Sequence, residues 1–170
     1  MIVALTNAEA LIAWHVAAMR QADNVRRGTS PKHGAPRGSG GDAANVLGAK
    51  AEMAVAKALG VYWSGALGDY AAADVGGYEV RAVEEQLRRL IIHPSDVERR
   101  ADRPFISVVF DRETGLRAHL RGWIYASDAA RPEWWQDPTG QGRHAYFVPN
   151  DALRSMADLP SAAKMPGVAA

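Results

Sequence analysis

This chain predicts a mixed α/β (α+β) fold with a central mixed sheet flanked by helices. Two Ala-rich stretches near the start carry apolar residues at helical spacing. Short runs rich in β-branched and aromatic residues follow from about residue 71 onward. The order is therefore helix, two paired strands, further strands, then a short helix and a last strand, the pattern of a layered α/β domain.

Residues 6 to about 25 form the first predicted helix. Thr6 or Asn7 can cap it, and Glu9 in the first turn suits the helix dipole. Ala8, Leu11, Ile12, His15 and Met19 fall on one face, which marks it as the packed face, with Trp14 against the same body. Residues 1–27 make an N-terminal helical segment, and residues 28–42, dominated by Gly, Pro and Ser, read as a flexible linker. Arg20, Arg26, Arg27, Lys32 and Arg37 gather around the linker against Asp23. They form either a basic arm for phosphates or a solvated surface loop.

A domain over 43–157 follows, with a frayed tail at 158–170. It opens on a helix at 43–59 that Asp42 can cap and Gly60 stops. Glu52 on that helix either flanks the buried stripe or is an exposed acid paired with Lys50 or Lys57. Val61-Tyr-Trp63 reads as a short strand, and Ala71–Val75 and Tyr78–Val83 as a strand pair. Gly76-Gly77 is the hairpin turn between them. Leu90–His93 reads as a strand, His93-Pro-Ser-Asp96 as a turn and 97–103 as a charged connector. Pro104–Phe110 is apolar enough for a central strand. After a turn at Asp111–Gly115, Leu116–Tyr125 alternates as its hairpin partner. Arg117, His119 and Arg121 then line one face, as a nucleic-acid contact or as the wet side of an edge strand. Ser127–Trp135 begins a short helix, and Trp134-Trp135 either stacks on bases or fills a gap beside the sheet. Ala145–Val148 is the last strand, and Asn150 or Asp151 caps a short helix at 152–157.

Composition narrows the function classes. Net charge is +1, so no global field steers the protein to DNA or a membrane, and nucleic-acid contact must come from local patches. The absence of cysteine excludes disulfides, thiolate zinc sites and cysteine nucleophiles, and fits a reducing cytoplasm. No stretch reaches the roughly 18 apolar residues of a membrane helix, and the N-terminus lacks the basic region of a signal peptide. Abundant Ala and Arg point to a GC-rich bacterial or phage genome. A Walker loop, a Gly-x-Ser-x-Gly elbow, His-Glu-x-x-His and a dinucleotide fingerprint are all missing. The five histidines lack ligand spacing.

The chemistry concentrates in Asp74-Val-Gly-Gly-Tyr-Glu79-Val-Arg81-Ala-Val. A carboxylate before a tight turn and another just after it can lie side by side, and a divalent cation with hard oxygen ligands holds such a pair ionised. Glu79 and Arg81 share one strand face, and Tyr78 and Val80 take the other, toward the core.

This pattern resembles the PD-(D/E)xK nuclease superfamily, in which an Asp, a short turn and Glu-x-Lys carry the site. Gly48-Ala-Lys-Ala-Glu52-Met-Ala-Val-Ala-Lys-Ala-Leu-Gly60 is similar to that superfamily's first core helix with its further Glu. The resemblance covers roughly residues 45–125 and implies a restriction-endonuclease-like core. It also implies magnesium or manganese at Asp74, Glu79, the carbonyl of Val80 and Glu52, with Glu52, Asp74, Glu79 and Arg81 as the catalytic set. Arg81 stands where the superfamily has Lys. Arginine stays protonated and cannot act as a base, but it can stabilise charge on a phosphate. The expected function is metal-dependent phosphodiester hydrolysis, on DNA more than RNA. The alternative is an inactive nuclease-fold protein that binds DNA or a protein partner, with Arg81 neutralising the acids. A homo-oligomer is compatible with either.

Overall fold

The computed structural model describes residues 1–28, 39–67, 72–83 and 89–161. The chain starts with a strand that the sequence reading did not foresee, β1 (Ile2–Ala4). It pairs antiparallel with β5 (Arg117–Tyr125), and the Met1 ammonium donates to Leu120 O at 3.0 Å.

Helix α1 (Asn7–Arg26) begins where its capping signals place it. Glu9 N donates to Thr6 Oγ1 at 3.2 Å and Thr6 N to Glu9 Oε2 at 2.6 Å, a reciprocal capping box. The expected packed face is corrected. Ala13 and Ala17 are buried, while Leu11, Ile12, Trp14 and Met19 are exposed. Alanines let α1 lie close on the next helix, and that contact fixes which side turns inward.

Helix α2 (Ser39–Leu59) starts four residues earlier than expected, so residues 39–42 are helical rather than linker and Asp42 lies in the first turn. Lys32 and Arg37 lie outside the described residues. From Ala49 to Ala56 α2 is buried nearly all round, because it is sandwiched between α1 and the sheet. Gly60 ends it in the left-handed region (φ 65°).

The main sheet is mixed, in the order β1-β5-β4-β2. Strand β2 (Glu79–Ala82) runs parallel to β4 (Pro104–Phe110), and β4 and β5 form the expected antiparallel hairpin. Every residue of β4 is buried, as its apolar run requires. Ile106, Val108 and Phe110 share the first core with the buried residues of α2, and Phe105 belongs to a second core with the antiparallel sheet. That sheet is ordered β3-β7-β6, from β3 (Leu90–Ile92), β7 (Ala145–Val148) and β6 (Trp135–Gln136). Between β3 and β4 runs α3 (Pro94–Arg100), where the sequence reading had a turn and a connector. Pro94 opens it, and His93 N donates to Asp96 Oδ2 at 3.0 Å.

Four smaller expectations are corrected. Residues 61–63 form no strand. Among the described residues, Ala72–Val75 contributes a single bridge, Val75 to Tyr78, instead of a hairpin arm. Helix α4 spans only Ala126–Ala129, and the expected helix at 152–157 is two 3₁₀ turns, Asn150–Ala152 and Met156–Asp158. The start of the tail is held, because Tyr78 Oη donates to Pro160 O at 2.6 Å and Leu159 packs on the first core. Trp134 packs against the second core, whereas Trp135 stacks on His144 with ring centroids 5.3 Å apart. Among the described residues no helix is long and apolar enough to cross a membrane.

Candidate functional site

Among the described residues strand β2 lies at the edge of the main sheet, with a strand neighbour on one side only. Gly76 and Gly77 (φ 53° and 95°) make the tight turn that returns the chain from Asp74 to it. Asp74 Oδ2 accepts from Val80 N at 2.8 Å and thereby takes the place of a strand neighbour on that edge. Asp74 and the start of β2 are thus brought together as expected, though by one bridge and one carboxylate rather than by a two-stranded ladder.

Tyr78 and Val80 are buried toward the core as predicted. Glu79 stands beside Phe105 and Arg81 beside Ser107 in the β2–β4 register, on the opposite face. Glu79 is fully buried at 0% exposure. Its Oε2 accepts from Arg100 and its Oε1 from Arg103, both at 2.8 Å. Arg81 lies 3.7 Å from Asp74 Oδ2, 3.9 Å from Glu79 Oε2 and 3.2 Å from Asp96 Oδ1. It also donates to Val80 O at 3.2 Å and covers the Phe105 ring. Three acids (Asp74, Glu79, Asp96) are thus laced to three arginines (Arg81, Arg100, Arg103). Such charges are tolerated away from water only when paired and hydrogen-bonded.

Glu52 is buried on α2, and the exposed reading with Lys50 or Lys57 is excluded. Lys57 pairs with Glu9 at 2.8 Å, and Lys50 donates to Gly115 O. The guanidinium of Arg20, from α1, forks onto both Glu52 oxygens at 2.7 and 2.8 Å, and Trp63 Nε1 donates to Oε2 at 2.9 Å. Glu52 therefore belongs to a second ionic group, yet its charge is felt at Asp74. The Asp74 carboxyl is pushed up to about 6, first by burial, then by the negative charge of Glu79, with Glu52 adding to it. The Val80 N–H and Arg81 oppose the shift without cancelling it.

No family model, curated protein or solved structure matches this chain.

The donor set can be tested against a divalent cation. Asp74, Glu79, Glu52 and the Val80 carbonyl are hard oxygen donors of the kind magnesium and manganese prefer. The Asp74 carboxyl is raised first by burial and then by the negative charge of Glu79, which Arg81 does not cancel, and a cation would relieve that second cause. Against this, the oxygens of Glu79 and Glu52 already accept from guanidinium groups, and among the described residues no three His, Cys, Asp or Glu side chains stand in a metal-holding arrangement. The residues suit the ion in kind, and an ion at Glu79 displaces a guanidinium.

The expected nucleic-acid residues are dispersed. Arg26 and Arg27 are both tied to Asp23, at 2.6 and 2.7 Å. On β5, Arg117 is exposed and His119 half-buried, while Ala118 and Leu120 between and beside them are buried. His119 stands beside Val109, on the β4 face that also carries Phe105 and Ser107, so it shares a sheet face with Glu79 and Arg81, with β4 between them. Arg121 is the extra residue of a bulge opposite Ser107 and Val108.

Sequence reasoning missed Asp96, Arg100 and Arg103 as partners of the motif, and Arg20 and Trp63 as partners of Glu52. Pro94 followed two residues later by Asp96 is a helix-start signal that could have revealed α3. Nothing local to Arg20 announces a partner on the next helix.

Proposed function

We propose that this chain is a metal-dependent phosphodiester hydrolase acting on nucleic acid, DNA in preference to RNA, on a restriction-endonuclease-like core. The observation that carries the reading is Asp74. Its carboxyl is raised to about 6 by burial and by Glu79 and Glu52, beside an arginine cluster on the edge of a mixed sheet. Sites that handle phosphodiesters need concentrated negative charge for a cation and positive charge for the phosphate. Asp74, Glu79 and the Val80 carbonyl would hold magnesium or manganese, which supplies Lewis-acid stabilisation of charge developing on the phosphoryl oxygens.

The side chains then divide the remaining work. Arg81 neutralises a phosphate oxygen and cannot take a proton. Asp74 serves as an ionised ligand, because a bound cation would lower the carboxyl that burial and Glu79 raise in the metal-free protein. Its contacts among the described residues run through Oδ2, which leaves Oδ1 for the ion. Exposed Arg117 and half-buried His119 lie on that same sheet face, where they would contact the nucleic-acid backbone.

One observation favours a second reading, an inactive nuclease-fold protein that binds DNA or a protein partner. Both Glu79 oxygens are occupied at 2.8 Å by Arg100 and Arg103, a closed ionic group that needs no metal. Cleavage of linear, circular and single-stranded DNA with magnesium or manganese separates the two. Metal-dependent cutting that disappears in Asp74→Asn, with the fold retained, is the expected result. No cutting with any metal, together with retained DNA or partner binding, leaves the second reading.

A further inference from the structure

The outward face of α1 has a composition that a solvent-facing helix surface does not have. Leu11, Ile12, Trp14, Met19 and Val25 are each 51–73% exposed. Ala8, His15, Ala18 and Ala22 lie among them, also exposed, and no exposed position of α1 carries a charge before Arg26. Surface helices of monomers turn charged side chains to water, and a helix apolar on both sides is a covered helix. The inner side is already spent on α2 through Ala13 and Ala17, and the charged Glu9, Arg20 and Asp23 are tied to Lys57, Glu52 and Arg26.

We propose that two copies of this chain associate through this face, with their α1 helices packed antiparallel about a two-fold axis at His15. The spacing is that of a helix–helix seam. Ala8, Leu11, His15, Ala18, Ala22 and Val25 recur at alternating intervals of three and four, with Ile12 and Met19 beside them. The face is also self-complementary about His15. Leu11 and Met19 lie four residues to either side, Ile12 and Ala18 three, and Ala8 and Ala22 seven. Antiparallel packing sets each Ile12 over the partner's Ala18, large into small, and opposes the two helix dipoles. Covering these side chains removes roughly 700–800 Å² per protomer from water, close to the ~800 Å² per partner of a standard stable interface. Nucleic acid is the wrong occupant, because the face offers no row of cations to phosphates. The inference stands independently of the phosphodiesterase reading. It does touch the site, because Arg20 on the inner side of the same helix holds Glu52.

Sedimentation velocity on the full chain tests it. The wild type is expected at twice the 18.3 kDa chain mass, and Leu11→Glu/Met19→Glu at the single mass with unchanged circular dichroism. Both positions are exposed, so the fold should survive the change. Because the chain has no cysteine, a mixture of Leu11→Cys and Met19→Cys proteins reports orientation. Mixed disulfide-linked dimers are expected under mild oxidation, and none with Arg117→Cys in place of either. A wild type that stays monomeric at high concentration, or a dimer that survives the double Glu variant, overturns the proposal.

Discussion

Glu79 is the residue on which the site's stability turns. A carboxylate with no exposed surface holds Arg100 and Arg103 on its two oxygens and has Arg81 within 4 Å. Removing one partner of such a group leaves like charges facing each other in a poor solvent. Glu79→Ala is therefore expected to cost about 3–5 kcal/mol in urea unfolding, and Glu79→Gln a comparable amount, because it keeps one acceptor oxygen, turns an amide N–H toward the other arginine and removes the charge. Asp74 carries the opposite electrostatic sign. Its folded-state pKa is raised from 3.8 to about 6, so the native state holds the proton more tightly than the unfolded chain. The resulting stability is full below about pH 4 and is lost as pH rises through 6. Two units correspond to at most about 3 kcal/mol, and partial exposure reduces this to about 1–2. Asp74→Asn keeps an acceptor for Val80 N and removes the titration, so the variant should gain on the wild type between pH 4 and 7 without added metal. The variant is the right reference, because Glu9, held low by Lys57 and by the Thr6 N–H, changes stability with pH in the other direction in both proteins. The acids of the motif were legible because a turn dipeptide and a strand fix their separation. Their arginine partners were not, since α3, the turn after it and α1 reach them from 21 to 32 residues away.

At the scale of elements, the sequence announced most boundaries that rest on local chemistry. Thr6 with Glu9 starts α1, Gly60 ends α2, and Asp111 accepts from Thr114 N and Gly115 N to turn β4 into β5. Where the outcome depended on a neighbour, the reading failed. Periodicity finds an apolar face on α1 but cannot say that the alanine face is the one α2 covers. Glycine at 122 is similarly a tertiary matter. It sits at φ 151° beside the β5 bulge, and a Cβ there would lie 2.5 Å from Arg154 O and 2.9 Å from Leu153 Cβ. The neighbouring Trp123 exchanges backbone hydrogen bonds of 3.0 and 2.8 Å with Arg154, so the segment cannot retreat freely. Gly122→Ala is expected to destabilise by about 2 kcal/mol or more, read as a lowered urea midpoint at unchanged slope. An unchanged midpoint would mean that the 153–155 segment does not dock as described.

The whole molecule stacks α1 on α2, α2 on the mixed sheet, and the small antiparallel sheet on the far side of β4 and β5. The mixed α/β class was legible from the order of segments. The division into two cores was not, because a fully apolar β4 reads the same whether one or two layers cover it. This layering leaves β2 on an edge, and the edge is what lets Asp74 come alongside Glu79 and Arg81, which share one face of the strand. The central functional claim is that this place accepts a divalent cation in exchange for a guanidinium. Manganese titration of the metal-free protein, followed by the loss of the free-ion paramagnetic resonance signal, tests it most directly. The wild type should take up one or two ions with an affinity that falls at least tenfold in Asp74→Asn, while both proteins keep the same circular dichroism. Uptake that is absent, or equal in the two, would contradict the claim and leave the arginines as the permanent partners of these acids.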